Sequence, residues 1–147
     1  MRKELAMIRE AKYEELEAIS ILMHEVFESK MRKLYTPEAQ NSFLNQITLE
    51  SLQESYNAKN IFYVNEEITA VLEFETYSHI AFLFSKDENR GNARALCEYA
   101  FKHKKSDALT VGAFKNAIAY YEKIGFTQVS EEIILEGINF TIMERKI

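Results

Sequence analysis

One cysteine and one proline in 147 residues exclude several architectures at once. With Cys97 alone, no disulfide can form within the chain, so it is not a small disulfide-stapled scaffold. No apolar run approaches the ~20 residues of a membrane span, and Met1-Arg2-Lys3-Glu4-Leu5 lacks the apolar core of a secretory signal. The expectation is a cytoplasmic protein without membrane partners. His24, His79 and His103 are scattered, with no Cys or carboxylate at ligand spacing, so no metal is expected. The chain also lacks a basic stripe: its net charge is -5, and Lys102-His103-Lys104-Lys105 falls where cations suit the end of a helix, so nucleic acid is not an expected partner. Repeats, linkers and low-complexity segments are absent too. Together with 47% hydrophobic residues, this predicts one domain, 1–147, with a genuine core.

What is present alternates between helix and strand. Leu5 to Arg9 reads as a short strand. Leu16, Ile19, Met23, Val26 and Phe27 then share a helical face, with Glu14, Glu15 and Glu17 in the first turn, which predicts a helix to about Ser29. Thr36-Pro37-Glu38 supplies a cap and a first helical residue for a helix over 37–46. A further short helix is expected over 48–56. Ile61 to Val64 and Ile68 to Tyr77 read as a hairpin turning at Asn65-Glu66-Glu67. Alternation along its second strand puts Thr69, Val71, Glu73, Glu75 and Tyr77 on one face, so two acids sit among apolar neighbours.

Ile80-Ala81-Phe82-Leu83-Phe84 has no polar alternation and is expected to be buried on both faces as a central strand. A polar loop leads from it to Gly91 and an amphipathic helix burying Ala93, Leu96, Cys97, Ala100 and Phe101. A strand over 108–111, a helix over 115–123 ended by Gly125, and a hairpin of 126–135 with 138–145 around Glu136-Gly137 complete the chain. On this reading all four glycines lie at element boundaries. A strand passing through a glycine turn into a helix is an anion cradle, because the first helical turn leaves backbone N–H groups without partners where the macrodipole is positive.

These residues carry a resemblance. Ile8-Arg9-Glu10-Ala11, the strand entry at His79-Ile80, the glycine-headed helix, Asn116 to Phe126 (Asn-Ala-Ile-Ala-Tyr-Tyr-Glu-Lys-Ile-Gly-Phe) and Glu136 to Phe140 make the chain similar to the GNAT superfamily of N-acetyltransferases. The family's loop pattern is Gln or Arg, two residues, Gly, one residue, then Gly or Ala; here it reads Glu88-Asn89-Arg90-Gly91-Asn92-Ala93. The resemblance implies a mixed α/β fold with a central, mostly antiparallel sheet, helices on both faces, and middle strands that splay to admit acetyl-CoA. It assigns the pyrophosphate cradle to Asn89, Arg90, Gly91, Asn92, Ala93 and Arg94, the pantetheine edge to Leu83, Phe84 and Ser85, and a further cofactor contact to Asn116.

Tyr121 matches the family tyrosine that protonates the departing thiolate, since a phenol of pKa ~10 stays protonated at neutral pH. Glu73 and Glu75 are the candidate bases, with His79 as a substitute. Cys97 is read as a packing residue. The expected reaction is direct attack of an amine, on a small molecule or a protein, upon acetyl-CoA, with Glu28 to Gln46 supplying acceptor specificity. Glu88 and Asn92 motivate an alternative: a GNAT-like sensor of CoA derivatives, or an interaction module without turnover. The alternating Ile138, Phe140 and Ile142 fit either core or a hairpin pairing between subunits, so a homodimer is possible.

Overall fold

The computed structural model describes residues 7–87 and 91–146. Its described strands form one mixed sheet in the order β1-β2-β3-β4-β5-β8-β6, with β7 pairing the far end of β8. The strands are β1 (Ile8–Glu10), β2 (Ile61–Asn65), β3 (Ala70–Glu75), β4 (His79–Ser85), β5 (Ala108–Ala113), β6 (Thr127–Gln128), β7 (Ile133–Leu135) and β8 (Ile138–Lys146). Every pairing is antiparallel except β4 with β5.

Two cores sandwich the sheet. On one face α1 (Leu16–Val26), α2 (Pro37–Gln46) and α3 (Leu49–Asn57) bury Leu16, Ile19, Met23, Phe43 and Leu52 against Phe62, Val64, Val71 and Phe84. On the other, α4 (Asn92–His103) and α5 (Ile118–Lys123) bury Leu96, Cys97, Ala100 and Tyr121 against Leu72, Phe74, Ile80, Leu109 and Val111. The alternation of β3 thus sorts its side chains between two helical layers, as the period of two requires. Cys97 is wholly buried, and burial pushes its thiol up to about 12, so it packs as a small apolar group.

Local chemistry sets the element ends. Thr36 caps α2, its hydroxyl accepting from the Ala39 N–H (3.2 Å), and Pro37 stands at the first helical position. Thr48 does the same for α3 through Ser51 N–H (3.1 Å). Buried Asn65 organises the β2–β3 turn: its Oδ1 accepts from the Thr69 and Ala70 N–H groups (2.9 Å each) and its Nδ2 donates to Thr69 Oγ1 (2.7 Å).

Several expectations need correction. The first helix stops being α-helical at Val26 and widens into a π turn over Phe27–Met31, followed by a 3-10 turn over Arg32–Leu34. The β3–β4 connection is a tight turn in which Thr76 (φ +52°) and Tyr77 (φ +55°) are both left-handed. That reversal carries Tyr77 off the face of Glu73 and Glu75, to pack edge-on against Phe74 at 5.8 Å. Gly112 lies inside β5, beneath Phe140, rather than after the strand. Ala93 and Phe101 are only half-buried on α4. The final hairpin is also interrupted: β6 pairs Thr127 and Gln128 with Glu144 and Met143, whereas β7 pairs with Ile138 to Phe140.

Candidate active site

The site begins with a one-residue irregularity. Glu73 faces Phe82 across the β3–β4 ladder, but Phe74 faces Ile80, so Ala81 is an extra residue in β4. Such a bulge bends the strand that carries it and increases its twist. Beyond the bulge β4 and β5 separate: their parallel register covers only His79 with Thr110 and Ile80 with Val111, although both strands run further. The central strand is accordingly not sealed on both faces. Ile80 and Phe84 are buried, whereas Ala81, Phe82 and Leu83 are half-exposed because they line the gap.

A cavity of about 170 Å³ fills that gap, bordered by Leu83, Phe84, Val111, Asn116 and Tyr121. Four of the residues singled out from the sequence (Leu83, Phe84, Asn116 and Tyr121) therefore meet at one place. Ser85 closes β4, and its carbonyl, with that of Lys86, accepts from Lys30 Nζ (3.0 and 3.2 Å). The π turn thereby brings a cation to the end of β4. Beyond residues 88–90 the described residues resume at Gly91 (φ +77°), which caps α4 without a side chain; among the described residues, its chain neighbours and the helix backbone aside, no atom lies within 4 Å of where a Cβ would stand. Asn92, Ala93 and Arg94 form the first turn of α4, which contains no acidic residue. Asn89 and Arg90, assigned to the cradle by resemblance, lie outside the described residues, as does Glu88.

Two further cavities continue from the gap. One, about 200 Å³, is lined by Gln46, His79, Phe114, Glu136 and Phe140. The other, about 710 Å³, is lined by Glu54, Ser55, Asn60, Glu73, Glu75 and His79. Ala81 and Phe82 border all three spaces, so they form one branched cleft around the bulge. Its roof is aromatic: Phe43 of α2 packs against Phe82 (5.5 Å) and Phe84 (5.8 Å), and Tyr35 meets Phe114 edge-on at 5.7 Å. Nothing in the sequence marked Phe82 as more than a core residue, whereas Phe43 lies within the Glu28 to Gln46 stretch expected to supply acceptor specificity.

The titratable groups around this cleft are strongly influenced by burial. Tyr121 is 7% exposed, and burial holds its hydroxyl well above the ordinary 10. His79 is pulled below 6.5 by burial, opposed by the nearby Glu75 charge. His79 Nδ1 lies 2.8 Å from Thr110 Oγ1, whose hydroxyl also reaches the Ser78 carbonyl (3.4 Å); when that hydroxyl donates to the carbonyl, His79 donates through Nδ1–H, and the neutral ring then carries its lone pair on Nε2. Glu73 is raised by burial, while hydrogen bonding from Asn60 and Ser55 draws it back. Among the described residues no cluster of three or more His, Cys, Asp or Glu is placed to hold a metal, and no helix is long and apolar enough to cross a membrane.

A mixed sheet whose one parallel pair opens at a bulge, beside a glycine-headed helix, is the architecture of the acyl-CoA N-acyltransferase fold. A family model described as the acetyltransferase (GNAT) domain matches residues 31–147, and the chain belongs to that family. Solved structures agree over nearly its whole length. A GCN5-related N-acetyltransferase from Rhodopseudomonas palustris superposes with a TM-score of 0.82 at 14% identity, covering 100% of this chain and 99% of its own. PaiA N-acetyltransferase from Thermoplasma acidophilum, in complex with coenzyme A, gives 0.75 at 18% identity over 98% and 100%. YncA of Salmonella typhimurium, with its cofactor acetyl-CoA, gives 0.71 at 15% identity over 97% and 94%. No curated protein matches the sequence significantly.

Proposed function

We propose that the protein transfers acetyl from acetyl-CoA to an amine by direct attack. The observation that carries this reading is the early end of the β4–β5 ladder at Ile80 and Val111, which leaves strand edge and cavity where a pantetheine arm fits as an additional strand. The first turn of α4, headed by Gly91 and free of acidic residues, suits the pyrophosphate, because a helix N-terminus presents backbone N–H groups to an anion. Bound there, acetyl-CoA supplies a thioester carbon as electrophile. The structures of PaiA with coenzyme A and YncA with acetyl-CoA support the same ligand class here.

The chain's own groups then divide the proton work. His79, neutral and with its Nε2 lone pair available, lies on both acceptor cavities and takes the proton of the attacking nitrogen; Glu75, its register partner, favours the resulting cation. The C–N bond forms, the C–S bond breaks, and Tyr121 donates its proton to the departing thiolate. The high pKa of Tyr121 keeps that proton in place beforehand. Glu73 and Glu75 remain in the same cleft, reaching the nitrogen directly or through water.

Calorimetric titration with acetyl-CoA tests the reading, with desulfo-CoA and ATP as controls. Saturation near one site per chain is expected, and strong weakening in Gly91→Val, whose fold is checked by thermal melting. Absence of binding at millimolar acetyl-CoA would remove the proposal and favour an interaction module. The exposed β7 edge, where Ile134 and Leu135 are 67% and 62% accessible, is the surface through which such a module would pair with a second copy.

A further inference from the structure

The two cavities that His79 borders differ in what lines them. The larger holds Glu73 and Glu75 and suits the amine. The smaller, about 200 Å³, is walled by Phe82, Phe114, Leu135, Ile138 and Phe140. Its polar members are Gln46, His79 and Glu136, and two of these are already engaged with Ser42: Gln46 Nε2 donates to its carbonyl (3.2 Å), and the Glu136 carbonyl accepts from its hydroxyl (3.0 Å). Phe82, Phe114 and Phe140 pack against the core and still remain half-exposed, so the branch presents uncovered aromatic surface. Covering such surface is favourable in proportion to its area.

This branch opens directly onto the β4–β5 gap, because Phe43, Ala81, Phe82, Gly112 and Phe114 border both. Ala81 is the extra residue of the bulge, and Gly112 is the glycine of β5, so at those two positions neither strand sets a long side chain across the junction. Gly112 also shapes the wall: a Cβ there would meet the Phe140 ring at 3.2 Å, and its absence lets that ring lie against β5. An acetyl group carries a single methyl beyond the thioester carbon, which leaves these rings uncovered. An alkyl chain continuing from the same carbon would cover them.

We infer that the smaller branch receives the acyl chain of the donor, so that thioesters of coenzyme A with saturated chains of about four to six carbons are better donors than acetyl-CoA. The inference rests on the acyl-transfer reading of the same site and extends its donor. At roughly 30 Å³ per carbon, the share of one water in the liquid, a branch of about 200 Å³ holds about six carbons. The covalent step is the same as for acetyl: the amine nitrogen bonds to the thioester carbon, the C–S bond breaks, and the thiolate takes the Tyr121 proton.

The test measures thiol release from acetyl-, butyryl-, hexanoyl- and dodecanoyl-CoA with butylamine as acceptor, in wild type and in Ile138→Phe. Ile138 borders the smaller branch and neither of the other two spaces, so a larger ring there fills the branch alone. The expected result is a wild-type kcat/KM that rises about fourfold per added methylene through hexanoyl, carried by KM, and drops at dodecanoyl. In Ile138→Phe the advantage of hexanoyl over acetyl should disappear. A wild type that prefers acetyl overturns the inference and leaves acetyl transfer intact; a chain-length preference unchanged in a folded Ile138→Phe overturns it too. If nothing turns over, calorimetry with the same thioesters decides: affinity that rises from acetyl to hexanoyl sustains the branch while the transfer reading fails, affinity independent of length overturns the inference, and no binding overturns both. The wild-type series stands independently should the variant fail to melt cooperatively.

Discussion

Deleting the Tyr121 hydroxyl tests the proposed division of labour most directly. The ring is held edge-on by Tyr120 (5.5 Å) and Phe126 (5.4 Å), contacts that phenylalanine keeps. No described residue hydrogen-bonds the hydroxyl, so Tyr121→Phe should alter stability by less than ~0.5 kcal/mol. Its effect belongs to the transition state. A positioned general acid contributes about 10²–10⁴-fold, and because burial holds this phenol well above 10, the proton is fully present across the working range. We expect kcat to fall about a hundredfold, ~2.7 kcal/mol, with acetyl-CoA affinity unchanged. A thiol-release assay at saturating acetyl-CoA, with an amine that the wild type turns over, measures it. Tyr120→Phe is the control: the Tyr120 hydroxyl is buried without a partner among the described residues, so its removal should stabilise by ~1 kcal/mol, about 3 °C in Tm, and leave kcat alone. A Tyr121→Phe kcat within threefold of wild type, or equal losses in both variants, would refute the assignment.

Two pH-linked outcomes follow from other residues. His79 is depressed below 6.5 by burial and acts as base when neutral, so kcat/KM should rise through an apparent pKa below 6.5 and stay flat above it; His79→Gln should abolish that limb, and an unchanged profile would move the base elsewhere. Glu15 is held down to about 2 by a bidentate pair with Arg9 (2.8 and 2.7 Å) and by the Lys12 N–H (2.9 Å). Its folded pKa is depressed, so its contribution is present above 4.5 and is lost as pH falls toward 2; discounted for solvent exposure, Glu15→Gln should cost ~1 kcal/mol at pH 7 and little near pH 2, read from urea unfolding at both.

How far the site was legible depended on whether a signal was local. The capped start of α2 at Thr36-Pro37 follows from chemistry within one turn, and the structure repeats it. The acids of β3 share a face because the strand period is two, and Glu73 and Glu75 do line one cleft. Tyr77 escaped that logic because it and Thr76, neither glycine nor asparagine, are the two left-handed residues that reverse the chain. Asn60 was missed, and Phe43 and Lys30 were covered only by the broad Glu28 to Gln46 stretch, for a different reason: each acts on a residue far along the chain, such as Glu73, Phe82 or Ser85.

By itself, then, the amino-acid order determined which residues can cap, turn, alternate or face a core, and its glycine-headed helix and Asn116 to Phe126 block marked the GNAT family, whose model matches residues 31–147. These depend on interactions a few residues apart. Only the tertiary structure decided that Ala81 would be left over in the β3–β4 ladder, that β4 would leave β5 after Ile80, and that an apolar strand would become the wall of a cleft also lined by the buried Glu73. Register between strands is a property of the assembled sheet, and one residue's slip in it turns a sealed core into an open cleft.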